Sequence, residues 1–327
     1  MARYFTSITL ILFLTLSPAF GEETFLGSKD CGECHTQEVK IWKKSAHYRT
    51  FRELHRRKKA KEISKKLGIK RLRSEGACLD CHYSSTGEKN KRRAVEGVSC
   101  ESCHGNAKHW LDPHSSYGTE ADTKESETEA HKKQRLATVD KAGMLRRDHM
   151  YEFSATCYRC HTTPNERLVN VGGHPAGSDF ELLSWLEGEV LHNVFYSNDS
   201  TNADLSIERR RKLYIVGLAL DAEYALRGIA GATKKDTYAK EMAQRAQGAT
   251  RKLFAVSKKV KIAELAEMIS LFKGVKLSLG NSVELNRAAD KLATINKKFV
   301  RNHTGKELSA IDSFLPKQTD AKGKRLR

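Results

Sequence analysis

Cys31-Gly-Glu-Cys34-His35, Cys78-Leu-Asp-Cys81-His82, Cys100-Glu-Ser-Cys103-His104 and Cys157-Tyr-Arg-Cys160-His161 are four copies of one pentapeptide, and together they use all eight cysteines of the 327-residue chain. Cys-x-x-Cys-His is the attachment signature of c-type haem. Two thiols three positions apart add to the two vinyl groups of one porphyrin, and the adjacent imidazole turns inward to the iron. Zinc sites and thioredoxin-like pairs also use Cys-x-x-Cys, but neither explains a histidine fixed directly after every pair. A disulfide framework would not sort eight cysteines into four identical pentapeptides. The cysteines are therefore read as thioether anchors, and His35, His82, His104 and His161 as proximal iron ligands of four covalently bound haems.

The start of the chain gives a compartment. One arginine precedes the apolar run Ile8-Thr-Leu-Ile-Leu-Phe-Leu-Thr-Leu16, which is followed by small residues around Ala19-Phe20-Gly21. This is the pattern of a secretory signal over residues 1–21, cleaved near Gly21-Glu22. A membrane span needs roughly 20 apolar residues, so the run is too short to be one. The expectation is an exported, periplasmic protein with no transmembrane span.

The chain carries 58 Lys and Arg against 40 Asp and Glu, a formal charge of +18. Haem propionates offset part of this without reversing it. A positive surface attracts acidic partners and raises encounter rates. For an exported haem protein these are donor and acceptor redox proteins, acidic at the docking face, rather than nucleic acid.

Twelve of the thirteen histidines and all four motifs lie before residue 193, and only His303 follows. With the polar stretch Ser197-Asn-Asp-Ser-Thr-Asn202, this divides the chain into a haem region at 22–197 and a haem-free region at 203–303. The second region has no Pro or Cys and is rich in Ala, Leu, Lys and Glu at helical spacing. Helices are expected near 204–229, broken by Gly228 and Gly231, then 236–257, 261–273 and 282–302. Such helices pack as a small bundle, either freestanding or docked over the haems. Segments 36–67 and 131–149 also read as helical, the acidic stretch 118–130 as a surface loop or solvated helix, and the basic tail 316–327 as disordered. The fold class is mainly α, a multihaem cytochrome c with little regular strand and a C-terminal helical bundle.

Four proximal histidines need four more for bis-His coordination, and nine remain: His47, His55, His109, His114, His131, His149, His174, His192 and His303. A bis-His haem has no vacant position and suits electron transfer, whereas an open haem binds small molecules. His55, within Leu54-His-Arg-Arg-Lys-Lys59, reads as part of a solvated basic face.

The segments Cys31-Gly-Glu-Cys-His-Thr-Gln-Glu-Val-Lys-Ile-Trp-Lys-Lys-Ser-Ala-His47 and Gly97-Val-Ser-Cys-Glu-Ser-Cys-His-Gly105 resemble the cytochrome c-554 family of tetrahaem electron carriers. The resemblance spans about residues 25–195 and leaves out the C-terminal helices. It implies that His47, within the Trp42-x-x-x-x-His pattern, is a distal ligand to another haem, and that His114 is a second. It implies a third from a helix after the fourth motif, for which His192 and His174 compete. It further implies that the haem of His82 lacks a distal histidine, although a surplus histidine such as His131, His149 or His174 would fill that vacancy.

The leading reading is a periplasmic tetrahaem cytochrome carrying electrons between partner proteins. A second is a reductase or oxidase of nitric oxide or another small nitrogen or sulfur species at an open haem. A third is a cytochrome subunit that docks a larger redox complex through its C-terminal helices.

Overall fold

The computed structural model describes residues 25–325 except 75, 88–90, 121, 178 and 196–200. The signal segment 1–21 lies outside the described residues, as does most of the polar stretch at the expected boundary. The chain is mainly α. Among the described residues, strand is confined to one antiparallel pair, β1 (Ser84–Thr86) with β2 (Arg93–Glu96). No helix among them is long and apolar enough to cross a membrane.

The motif-bearing half consists of short helices, α1 (Ser28–Gly32), α2 (Thr36–Trp42), α3 (Ala46–Glu53), α4 (Lys58–Leu67), α5 (Gly76–His82), α6 (Cys100–His104), α7 (Leu111–Ser115), α8 (Glu129–Lys141) and α9 (Met150–His161). Each motif begins in or closes one of them. The expected helix over 36–67 is divided into three. Ser45 ends the first piece by capping the second, its Oγ accepting from the Tyr48 amide at 3.3 Å, and a 3-10 turn at Leu54–Arg56 precedes the third. The helix expected to reach residue 149 stops at Lys141. Gly143 takes φ 92°, and the chain turns back so that the Leu145 amide donates to the His104 carbonyl at 2.8 Å.

After the short α10 (Glu166–Asn170) and α11 (Leu182–Leu186) come the long helices α12 (Ile207–Gly231), α13 (Thr237–Lys259), α14 (Ala263–Lys273) and α15 (Ser282–Asn302). They form the expected C-terminal bundle. α12 runs through Gly228 rather than breaking there. A Cβ at this position would lie 2.7 Å from Met242 Cγ on α13, so the glycine permits close helix approach.

The bundle is continuous with the motif-bearing half. One apolar core joins Met150, Tyr151 and Tyr158 of α9 to Leu213, Val216 and Leu220 of α12, Leu253 of α13 and Phe299 of α15. Two buried hydroxyls stitch the same seam. Tyr158 Oη donates to the Gly217 carbonyl at 2.8 Å, and Tyr151 Oη to Glu223 Oε2 at 2.7 Å. The helix carrying the fourth motif is therefore also a wall of the bundle core.

The tail expected to be disordered from Pro316 is instead folded back as far as it is described. The Lys322 amide donates to the Ser184 carbonyl at 3.1 Å, and its carbonyl accepts from the Glu189 amide at 2.9 Å. Gly188 makes this approach feasible, because a Cβ there would stand 2.0 Å from the Lys322 carbonyl oxygen. Backbone pairing of this kind leaves no trace in side-chain composition.

Candidate functional site: four facing histidine pairs

The four motif histidines each face one other imidazole. Ring centroids are 6.1 Å apart for His35 and His114, 6.2 Å for His47 and His161, 6.2 Å for His82 and His174, and 6.0 Å for His104 and His192. Two imidazoles on opposite sides of one metal ion, each bonded at about 2 Å, hold their ring centres about 6 Å apart. All four pairs have this separation. The residues present thus fit a metal-centred group between each pair, with a Cys-x-x-Cys beside it.

Every pair is long-range, and each second member lies on an element fixed from elsewhere. His47 opens α3 next to Trp42, whose Nε1 donates to the Val98 carbonyl at 2.8 Å; the Val98 amide returns a bond to the His47 carbonyl at 3.1 Å. Gly97 permits this crossing, since a Cβ there would lie 2.2 Å from the His47 carbonyl oxygen. The Trp-x-x-x-x-His spacing therefore has a mechanical basis, with both residues clamped to the strand leading into the third motif. Glu189 adds an anchor, its Oε1 accepting from the Ala46 amide at 2.8 Å.

Backbone carbonyls set the tautomers of the other three. Nδ1 of His114 donates to Leu111 O at 2.6 Å, that of His174 to Pro175 O at 2.9 Å, and that of His192 to Val190 O at 2.6 Å. A carbonyl oxygen only accepts, so Nδ1 carries the proton and Nε2 keeps the lone pair that a metal needs. On the proximal side, His104 Nδ1 makes the same bond to Leu145 O at 2.9 Å. Burial pushes His82, His104 and His161 down to about 4, and lowers His47 and His114 as well. Neutral imidazole, the ligating form, is favoured at pH 7.

The remaining five histidines are engaged otherwise or exposed. His131 Nδ1 pairs with Glu127 at 2.8 Å, and His149 accepts from the Arg146 amide at 3.1 Å while facing Asp140. His303 bridges Glu264 and Glu307 at 3.0 and 2.8 Å. His55 sits against Arg73, and His109 is exposed. Neither His131 nor His149 reaches His82; His174 does. His174 and His192 are not competitors for one place, because they face different proximal histidines.

No disulfide joins any of the eight cysteines, and the motifs adjoin one another. α1 of the first motif packs against α6 of the third, α6 against α9 of the fourth, and α9 against α5 of the second, where Cys160 Sγ approaches the Asp80 carbonyl at 3.6 Å. The motifs thus form a spatial row in the order first, third, fourth, second. Among the described residues, no group of three or more His, Cys, Asp or Glu is arranged to hold a metal ion, which distinguishes these pairs from a zinc site.

Aromatic residues beyond the motifs complete the surroundings, and sequence reading did not single them out. Phe180 stacks on His161 with centroids 4.5 Å apart, and Trp185 meets it edge-on at 4.8 Å. Phe153 lies 5.4 Å from His104, and Phe195 lies 5.7 Å from His35. Phe180, Leu182, Leu183 and Trp185 cluster soon after the fourth motif, and that was the available signal.

Residues 30–105 match the family model for cytochrome c554 and c-prime. The chain is 27% identical over 145 residues to cytochrome c-554 of Nitrosomonas europaea, a match covering 42% of this chain and 57% of that protein. The chain therefore spans little more than half the length of this curated relative. No solved structure gives a significant match. The first three motifs, the Trp42 to His47 clamp and the Gly97 crossing all fall within residues 30–105, the part of this chain that is similar to the cytochrome c554 and c-prime family.

Proposed function

We propose that the protein is an exported tetrahaem c-type cytochrome that carries electrons one at a time between partner proteins. The observation that carries this reading is the set of four imidazole pairs, each with a proximal histidine on one side and centroids 6.0 to 6.2 Å apart. His35, His82, His104 and His161 would be the proximal ligands; His114, His174, His192 and His47 would be their respective distal partners. The eight cysteines would be the thioether anchors.

Bound there, c-type haem supplies a one-electron iron couple. The chain's own contribution would be two facing histidines to hold each iron, an arrangement that favours electron transfer over substrate binding. Carbonyl bonds to Nδ1 orient the rings of His114, His174 and His192, and burial favours the neutral form of His47, His82, His104, His114 and His161. Packing of the motif helices arranges the four sites in one row with two ends, which suits a carrier with separate donor and acceptor. The formal charge of +18 favours acidic redox partners.

The enzyme reading needs an open haem, and the resemblance pointed to the second motif. His174 opposite His82 favours the carrier instead. The subunit reading has less need of a separate role for the C-terminal helices, because they share their core with α9.

Intact mass and a pyridine haemochrome assay on protein exported with the haem-attachment machinery test the proposal. Four covalent haems per chain support it. Fewer than four, or metal released by a chelator with the thiols recovered, would count against it.

A further inference from the structure

The positive charge is unevenly distributed about the two ends of the motif row. Between residues 56 and 71 nine Lys and Arg are exposed against one exposed acid, Glu62. Most lie on or beside α4, whose inner face buries Ile63 and Leu67 against Leu168. The same face covers the turn that carries His174. A Cβ at Gly172 would lie 3.0 Å from Leu67 Cδ1, one at Gly173 would lie 3.5 Å from Lys66 Nζ, and Arg167 donates to the Leu67 carbonyl at 3.1 Å. Arg57 acts electrostatically on His82 itself. The outer face of α4 is thus a basic surface lying directly over the end of the row formed by His82 and His174.

The other end is of mixed sign, with an acidic loop beside the exposed Lys29, Lys40, Lys43 and Lys44 of the first-motif region. The loop before α8 exposes Glu120, Asp122 and Glu125, and α8 opens with the exposed Glu129. This segment is tied to the first motif through Lys124, which lies 4.3 Å over the Phe195 ring that packs on His35, and through Arg135, which holds the His114 carbonyl at 2.8 Å.

We infer that the outer face of α4, with Lys58, Lys59, Lys65 and Lys66 at its centre, is the docking surface for an acidic redox protein, which thereby engages the His82–His174 end and is turned away from the His35–His114 end. This rests on the carrier reading and deepens it, by giving the two ends different partners. Complementary charge fixes orientation as well as encounter rate, and exposed rim charges act mostly through long-range attraction.

The test uses the holoprotein and a strongly acidic plant-type [2Fe–2S] ferredoxin as probe. Association is measured at low salt by calorimetry, and carbodiimide cross-links between lysines and carboxylates are mapped. Two fourfold variants with the same change in net charge are compared: K58E/K59E/K65E/K66E on α4, and K240E/K252E/K258E/K259E on α13. The expected result is cross-links concentrated on α4, with affinity falling about tenfold or more in the α4 variant and less than about threefold in the α13 variant. Equal weakening in both, or cross-links spread over the bundle, would overturn the inference in favour of diffuse charge. Retention by phosphatidylglycerol vesicles that only the α4 variant loses, with ferredoxin binding intact, would assign the face to a lipid surface and also overturn it. Should the α4 variant not fold, the cross-link map of the unmodified protein still decides. Haem absorbance, recorded first, reports on the carrier reading independently of docking.

Discussion

His82 and His174 face each other with ring centroids 6.2 Å apart, although 92 positions separate them in the chain (174 − 82). His174 sits in the turn Gly172-Gly173-His174-Pro175, with Gly173 at φ 73° and Gly172 packed against α4. The turn is held by bonds from the Gly173 and His174 amides to Val169 and Leu168 carbonyls at 3.0 and 3.1 Å. A small side chain at 174 would leave the turn intact and one axial side without an imidazole. His174→Ala is therefore expected to create a single high-spin site that binds carbon monoxide, with the other three unaffected, as read by the absorbance change on adding the gas. An unaltered spectrum would show that His174 is not a ligand.

Gly97 is a close-approach position. A Cβ there would lie 2.2 Å from the His47 carbonyl oxygen and 2.7 Å from that of Tyr48, both rigid backbone atoms. Overpacking of this kind costs about 1–3 kcal/mol. Gly97→Ala is expected to lower thermal stability by that order and to disturb the low-spin signal of the site containing His47 and His161 before any other.

The seam between α9 and α12 makes the C-terminal bundle structural. Tyr158→Phe removes the buried hydroxyl bond to the Gly217 carbonyl, which keeps its bond within α12, at a cost of about 0.5–1.5 kcal/mol in denaturant unfolding. Truncation before residue 203 would expose Tyr151, Tyr158, Leu182 and Leu183 together. The expected outcome is loss of haem incorporation. A truncated chain with unchanged haem spectra would instead support a dispensable docking module.

Glu127 gives a pH dependence of known sign. Arg135 and then His131 hold its carboxyl down to about 2, below the usual carboxylate value, and the same Arg135 carries the His114 carbonyl. A depressed carboxylate contributes stability that is complete above its unfolded value of about 4.5 and is lost as pH falls toward 2. Glu127→Gln is therefore expected to lower the melting temperature at pH 6, with the gap to the unmodified protein closing near pH 2.5. A gap of the same size at both pH values would contradict this assignment.

Much of the candidate site was legible because the attachment signature is a contiguous pentapeptide, and because the family resemblance singled out His47 beside Trp42. The second members of the pairs were recognisable as a set but not as partners. His174 and His192 reach their proximal histidines through a glycine turn and through the Asn202 bonds to Leu191 and Asn193, and neither device has a periodic pattern. The four bundle helices were readable from their apolar spacing. Their union with α9 was not, since Tyr151 and Tyr158 read equally well as haem-facing residues. The folded tail escaped because backbone bonds alone fasten Lys322.

The central claim is that all four irons have two histidine ligands. Electron paramagnetic resonance of the oxidised holoprotein, with and without nitric oxide, tests it most directly. The account predicts low-spin ferric signals that integrate to four haems and do not respond to nitric oxide. A high-spin signal abolished by nitric oxide would contradict it and restore an open, reactive haem.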